Sequence, residues 1–454
     1  MYMKNKILFL SIISILLFQS CKKDNDIVQP INLIYQLEVD PNVVGFDIPY
    51  EKATVVITKK SNNEKYTGEP NSDGKVVFSA ISPGVYNVNI SLTLSASEVE
   101  TLSGQATADD LHLNYSGDNL TYYETSSSNI RLITSKPVGN FVFKQIYYAG
   151  SNISDGAGIR DFFVEIYNNS NETLYADSLC FAIVYGKTNN NPGPYLLPNL
   201  QFDWSQSLDM NVTNNANRDY IYTKAIFMIP SDGSGKKYPI EAGKSFIIAE
   251  SALDHTKPYT LNSDKVQEIN DATLTVDLSK SDFEVYLFPY EQKIQPGRAK
   301  FASDVDNPSV TDVETLFATG MRDMILNPQG KESYAIFKLG NLNVNSLPSY
   351  AQPTVRTISD NTTLYPQIPV SLLVDAVEIS SVIERDKTPR RLQLEEDAGS
   401  AAINGGPYSS QSVVRKTKQI LNGRRILMDT NNSSKDFGVL NKANPSKGAD
   451  SFLD

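Results

Sequence analysis

Short runs of alternating apolar residues, cut apart by turn signals, dominate the first third of the chain and point to antiparallel sheet. Asn32 to Val39 places Leu33, Tyr35, Leu37 and Val39 on one face. Ala53 to Thr58 is short and β-branched, a composition that suits a strand. Asp73-Gly74 and Pro83-Gly84 are turn pairs on either side of Lys75-Val76-Val77-Phe78, and Val85 to Ile90 alternates again. Leu111, Leu113 and Tyr115, then Leu120 and Tyr122, then Ile130 and Leu132, supply further strands. His112 falls between Leu111 and Leu113, so it is expected on the opposite face, toward solvent or a partner.

Lys136-Pro137-Val138-Gly139 reads as a boundary. Beyond it, strands are expected at Phe141 to Tyr148, at Asp161 to Ser170, and at Ser245 to Ala249 after a turn at Ala242-Gly243. Leu179 to Val184 reads as a buried strand that makes Cys180 a core residue. Asn189 to Arg218 is a polar insertion carrying Tyr195 and the single tryptophan, Trp204. Pro308 to Met324 is expected as a helix, with Thr311 and Glu314 as a capping box and Val313, Leu316 and Phe317 on one face. Asn343 to Thr363 is a second polar, proline-bearing loop, and Ile368 to Val374 returns to a strand. The expected class is mostly all-β, with two β-sandwich domains at 31–135 and 138–454. The second would be elaborated by long insertions and a few short helices.

The start of the chain speaks to location. Lys4 and Lys6 precede the apolar run Ile7 to Phe18, then Gln19 and Ser20. A charged start, an apolar stretch too short to span a bilayer and a small residue at its end make a secretory signal over 1–20. Cys21, directly after that small residue, resembles the lipobox cysteine of bacterial lipoproteins, which are cut before the cysteine and lipidated on it. Phe18 stands where that family usually has leucine. Lys22-Lys23-Asp24-Asn25-Asp26 resembles the surface-export signal of Bacteroidota lipoproteins. The resemblance implies a lipidated tether over 21–30 and an outer-membrane protein displayed on the cell surface, with the periplasmic face as the alternative. More than one acyl chain on Cys21 would anchor firmly, where a single chain binds marginally. With Cys21 lipidated, Cys180 has no partner for a disulfide.

Two fold resemblances follow. Asp73 to Tyr86, an aspartate-glycine turn, a strand, a proline-glycine turn and a tyrosine strand, resembles the transthyretin-like or carboxypeptidase regulatory-like β-sandwich. Phe162 to Ser170, Ser245 to Ala249, Asp375-Ala376-Val377 and Asp429 to Ser433 before Asp436-Phe437 look like the lamin-tail immunoglobulin-like β-sandwich, with stretched spacing that implies insertions. The pairing resembles an uncharacterised family of Bacteroidota surface lipoproteins, for which no activity carries over.

Composition removes function classes. The formal net charge is −11, which leaves no electrostatic footprint for nucleic acid. Only His112 and His255 occur, which leaves little for zinc, metallohydrolase or triad chemistry. No glycine-rich phosphate loop follows a strand and opens a helix. Asp429, Asn431 and Ser433 form a weak candidate calcium loop, but as an EF-hand it has Ser434 where glycine belongs and Leu440 where glutamate belongs. Side-chain-to-backbone turns account for such a loop equally well. Glu165 is expected at a strand end in a structural role. Arg390-Arg391 and Arg424-Arg425 read as solvated pairs. Trp204, Tyr195, Tyr220, Tyr222 and Tyr350, in or beside insertions, are the candidate ligand contacts, since exposed rings stack on sugars or peptides. No cofactor is implied.

The expected function is that of a non-enzymatic cell-surface lipoprotein. It would be a binding or capture subunit cooperating with a TonB-dependent outer-membrane transporter. The alternatives are a glycan-binding or adhesin module, and a hydrolase built from carboxylates that meet only in space.

Overall fold

The computed structural model describes residues 29–39, 44, 46–103, 110–134, 141–340, 342–421 and 423–454. The expected signal segment, Cys21, the charged run after it and the expected boundary at 136–139 lie outside the described residues.

The N-terminal unit is built from β1 (Ile31–Glu38), β2 (Thr54–Lys59), β3 (Lys65–Gly68), β4 (Lys75–Ile81), β5 (Gly84–Leu94), β6 (Leu111–Tyr122), β7 (Ser126–Arg131) and β8 (Ile133–Thr134), with helix α1 (Ala96–Ser103) before β6. Two sheets, ordered β4-β1-β7 and β3-β2-β5-β6-β8, face each other. Between them lie Leu33, Tyr35, Val55, Ile57, Phe78, Val88, Ile90 and Leu113. The alternation in β1 is that of the sequence, with Leu33, Tyr35 and Leu37 buried and their neighbours outward. Gly74 holds the turn before β4 at φ +81°, and a Cβ there would meet the Leu37 carbonyl oxygen at 2.8 Å, so glycine is required on both counts. The stretches 111–115 and 120–122 are one continuous strand, β6, bulged opposite Tyr86 and Val88 of β5.

The second unit runs through β9 (Phe141–Tyr147), β10 (Phe163–Asn168), β11 (Leu174–Tyr175), β12 (Leu179–Val184), β13 (Tyr220–Met228), β14 (Pro239–Ile240) and β15 (Ser245–Ala249). It continues with β16 (Tyr259–Thr260), β17 (Val266–Gln267), β18 (Phe283–Glu284), helix α2 (Phe288–Ile294), β19 (Thr311–Asp312), β20 (Glu314–Ala318) and β21 (Ser333–Lys338). Last come β22 (Ser349–Tyr350), β23 (Tyr365–Pro369), β24 (Leu373–Glu378), β25 (Ser412–Arg415), β26 (Thr417–Leu421), β27 (Arg424–Leu427), the short helix α3 (Ser433–Asp436) and β28 (Phe437–Leu440). One sheet has the order β19-β18-β15-β10-β9-β25-β28, and the facing sheet the order β22-β23-β13-β12-β21-β24, with β20 beside β13. Both contribute to one core, where Phe143 of β9 meets Phe181 of β12 edge-on at 6.2 Å. Residues from 141 onward therefore make a single elaborated sandwich, and the protein is mostly β.

Three expectations are corrected. The segment expected as a helix from Pro308 to Met324 forms β19 and β20, and β20 pairs antiparallel with β13. Thr311, Val313 and Thr315 are β-branched, and a free edge on β13 outweighs the helical pattern. Ile368 to Val374 is not one strand: β23 stops at Pro369, a 3-10 turn spans Val370–Leu372, and β24 begins at Leu373. Proline has no N–H to continue the ladder. Glu165 lies within β10, beside a bulge, and not at a strand end.

Candidate functional site

Alternation along β6 sends His112, Asn114 and Ser116 to the face away from the N-terminal core, with exposed Asp118 at the bulge that follows. This face meets the second unit. Asn114 Nδ2 donates to the Thr430 carbonyl at 3.0 Å, Lys435 Nζ donates to Ser91 Oγ, and Lys418 pairs with Asp110 at 2.6 Å. Lys60 and Glu384 pair at 2.7 Å. Among the described residues each apolar cluster stays within one unit, so the described seam contacts are polar. His112 is only 3% exposed there, and the partner its alternation implied is this chain's own second unit.

Farther along, the seam opens into a cleft of about 320 Å³. Ser116 and Asp118 form the wall contributed by the N-terminal unit, and the opposite wall holds Leu197, Asn199, Trp204, Asn217, Tyr220 and the stretch Arg390 to Leu394. The insertion that carries Trp204 folds because Asp203 caps a 3-10 turn at Trp204–Gln206. Its carboxylate accepts from Ser205 N at 3.2 Å and Asn217 Nδ2 at 2.7 Å, and Asn217 Oδ1 accepts from Trp204 N at 2.8 Å. Trp204 stacks on Tyr222 with centroids 3.6 Å apart and planes within 9°. Tyr185 stacks on Tyr365 with the same spacing. Gln367 Nε2 donates to the Tyr222 hydroxyl at 2.9 Å, and burial pushes that phenol up.

The candidate contacts are thus partly brought together. Trp204, Tyr220 and Tyr222 line the cleft. Tyr350 packs in the same ring cluster, its hydroxyl donating to Asn211 Oδ1 at 2.6 Å. Tyr195 is apart, under the Arg356 guanidinium at 4.7 Å. The expected open ring platform is not what forms: Trp204 is 5% exposed and lies against Tyr222. The polar members, Asp118, Asn199, Arg390 and Gln393, carry no local signal in the sequence, because distant segments supply them. Gln393 Oε1 and Arg390 Nε are buried without a hydrogen-bond partner.

The arginine pairs are not a solvated face. Arg391 is buried against Glu378, and Arg390 Nη1 donates to the Gly399 carbonyl at 2.6 Å. Arg424 donates to the Ser170 carbonyl at 2.7 Å, and Arg425 pairs with Asp454.

Asp429 of the candidate calcium loop is bound to Arg415 at 3.0 Å. The same guanidinium holds Asp375 at 2.6 Å and Asp436 at 3.6 Å. Burial pushes the carboxyls of Asp375 and Asp436 up, while Arg415 pulls both down. Asn431 takes φ +49° and Ser433 opens α3. The loop is a buttress around an arginine. A different acidic group, unseen in the sequence, is Glu284, Asp306 and Asp312, whose oxygens lie within 4.8 Å of one another. The register of parallel β18 and β19 sets Glu284 beside Asp312. Glu284 accepts from Ala252 N and Asn307 N, both at 2.7 Å, so it braces the backbone. Burial pushes Glu284 up to about 7 and, with Asp306 nearby, Asp312 up to about 6. Asp161, Glu250 and Asp323 form a further group of buried carboxyls. A surface depression of about 580 Å³ reaches Asp323, but its cations are engaged, Arg322 with Glu291 at 2.7 Å and Lys224 with Glu332.

Residues 241–445 match the model of a family described as protein of unknown function, DUF4876. Over that stretch the match bears out the resemblance to an uncharacterised family. No curated protein matches the chain. Among solved structures, a DUF4876 family protein from Bacteroides thetaiotaomicron is similar at 22% identity and a TM-score of 0.47, covering 90% of this chain and 95% of that one. A candidate adhesin from Bacteroides ovatus is similar at 11% identity and a TM-score of 0.18, covering 50% and 86%. A candidate carbohydrate-binding protein from Bacteroides uniformis is similar at 9% identity and a TM-score of 0.15, covering 48% and 99%. At these scores the neighbours bring no chemistry to this chain.

Proposed function

We propose that this chain is a non-enzymatic, lipid-anchored surface protein that captures a ligand in the cleft between its two sandwiches and passes it to an outer-membrane transporter. The cleft carries the reading. It mixes aromatic rings with amide, carboxylate and guanidinium groups, the composition of a small-ligand site. Hydroxyl groups can bond to each of these polar groups, since a hydroxyl accepts and donates at one atom, so a glycan suits the cleft better than an apolar ligand.

A non-enzymatic role is favoured because carboxyl groups in both clusters are committed to packing or to bracing the backbone. Asp161, Glu250 and Asp323 are buried, and Glu284 braces backbone amides. The lipid anchor and surface display rest on Cys21 and the charged run after it.

The test is protease shaving of intact cells, then affinity purification of the native complex from solubilised outer membrane. A glycan array is probed with wild type and with Asp118→Ala. Shaving sensitivity, a co-purifying barrel and an array signal lost in the variant are expected. Protection from protease, or no barrel, would sink the transporter role. An array without signal would sink the glycan reading of the cleft.

A further inference from the structure

The strand that walls the cleft also carries a buried imidazole at the seam. His112 Nδ1 lies 3.0 Å from Thr93 Oγ1 of β5. Its Nε2 is buried and has no hydrogen-bond partner. We infer that His112 is a proton-operated latch: neutral, it lets the two sandwiches stay docked; protonated, it loosens the seam and opens the cleft.

A neutral ring needs one donor and one acceptor, whereas the imidazolium carries N–H at both nitrogens. A buried cationic donor with nothing to bond to is costly. The charged groups around the ring do not repair this. Asp110, at the start of the same strand, is held by Lys418 of β26 at 2.6 Å. Asp429, from the opposite unit, is held by Arg415 at 3.0 Å. Lys418 and Lys435 themselves oppose a positive ring. Burial, the largest influence, lowers the affinity of His112 for a proton, and the carboxylates only partly restore it.

The sign follows. In the undocked state the ring faces water and titrates near its ordinary value of about 6.5. In the docked state it resists protonation. Docking is therefore complete above that value and weakens as pH falls below it, by up to about tenfold per pH unit until the docked ring also protonates. A seam of polar contacts without a shared apolar core is one that a single charge can shift. Ser116 and Asp118 lie farther along β6, so movement of this strand changes the cleft.

Spin labels at Glu69→Cys and Lys236→Cys, both exposed and one on each unit, report docking in the full-length protein without any ligand. The readout is therefore independent of the capture role. The distance distribution is measured by double electron–electron resonance at about pH 7.5 and about pH 5, on either side of an ordinary histidine. The wild type is expected to go from narrow to broad on acidification. His112→Gln and His112→Phe, which cannot take up the proton, are expected to stay narrow. A wild-type distribution unchanged at low pH would overturn the latch. So would broadening of folded variants to the wild-type extent, with folding checked by near-ultraviolet circular dichroism. If one variant does not fold, the other decides.

Discussion

Lys144 Nζ lies 2.8 Å from Glu165 Oε1, and neither side chain has any exposed surface. The pair joins adjacent strands β9 and β10. Ser245 Oγ donates to the same carboxylate oxygen at 2.5 Å, and Lys144 Nζ donates to Ser451 Oγ at 2.7 Å. The Phe452 ring covers the ammonium at 3.8 Å. The desolvated lysine is held below its ordinary proton affinity, with Glu165 raising it back in part. Replacing one partner leaves the other charge buried and alone, at a cost of about 3–5 kcal/mol. Glu165→Leu should lower the urea midpoint by that equivalent, and adding Lys144→Met should recover much of it. A double variant no better than the single would show that the ion pair is not the cause.

Trp204 is the only tryptophan, so its fluorescence reports on one insertion. Stacked on Tyr222 and 5% exposed, it should emit in the blue range and resist acrylamide quenching. Trp204→Ala removes a large buried ring, a change that costs about 3–5 kcal/mol in a packed core. The insertion 189–218 should become sensitive to protease while the core keeps its far-ultraviolet spectrum. Equal protease resistance would mean that the ring does not organise the insertion.

Asp161 is pushed up to about 7 by burial, while hydrogen bonds from Ser151 and Tyr147 pull it down. Its unfolded value is about 3.9, so the native state holds a proton that the unfolded state releases. The stabilisation is complete below about pH 4 and is lost as pH rises toward about 7. Asp161→Asn keeps an acceptor for the Tyr147 hydroxyl, which donates to Oδ2 at 3.1 Å, and removes the titration. The variant should match wild type near pH 4 and exceed it above neutrality by about 1–4 kcal/mol. Thermal melts across pH check this, and parallel curves would refute it.

Arg415 is buried among Asp375, Asp429 and Asp436. Arg415→Met leaves three acidic groups without their guanidinium, and a cost above about 3 kcal/mol is expected. With Asp429 bound in this way, millimolar calcium or a chelator should leave the melting temperature unchanged. A clear rise in calcium would mean that the loop can exchange its arginine for an ion.

How much the sequence reveals depends on how local the cause is. Leu33, Tyr35 and Leu37 alternate, and β1 alternates with them, because a half-buried strand repeats every two residues. The Gly74 turn is local too. The segment 311–318 misleads because its helical spacing is genuine, but β13 offers hydrogen bonds that only the folded chain contains. Glu165 reads as structural from its strand, yet its cation is visible only across the sheet. The cleft is the hardest feature to read, since Asp118 and Gln393 are far apart in sequence. Their meeting depends on how two sandwiches dock, and no periodicity encodes that. The Arg390-Arg391 pair looks like a charged surface because nothing adjacent tells that Glu378 and the carbonyl of Gly399 await it.

The pairing of β9 with β25 brings Ile146 opposite Val413. The strands between them belong to both sheets of the same sandwich. That sheet cannot close until the chain has been made almost to its end. Closing so long a loop costs only a little more entropy than closing a short one, but contacts this distant in sequence slow folding. The N-terminal sandwich, whose pairings all fall before residue 135, is free to form first. The second unit can pair β9 with β10 and β12 with β13 early, but its sheet is completed only when β25 and β28 are added at the edge.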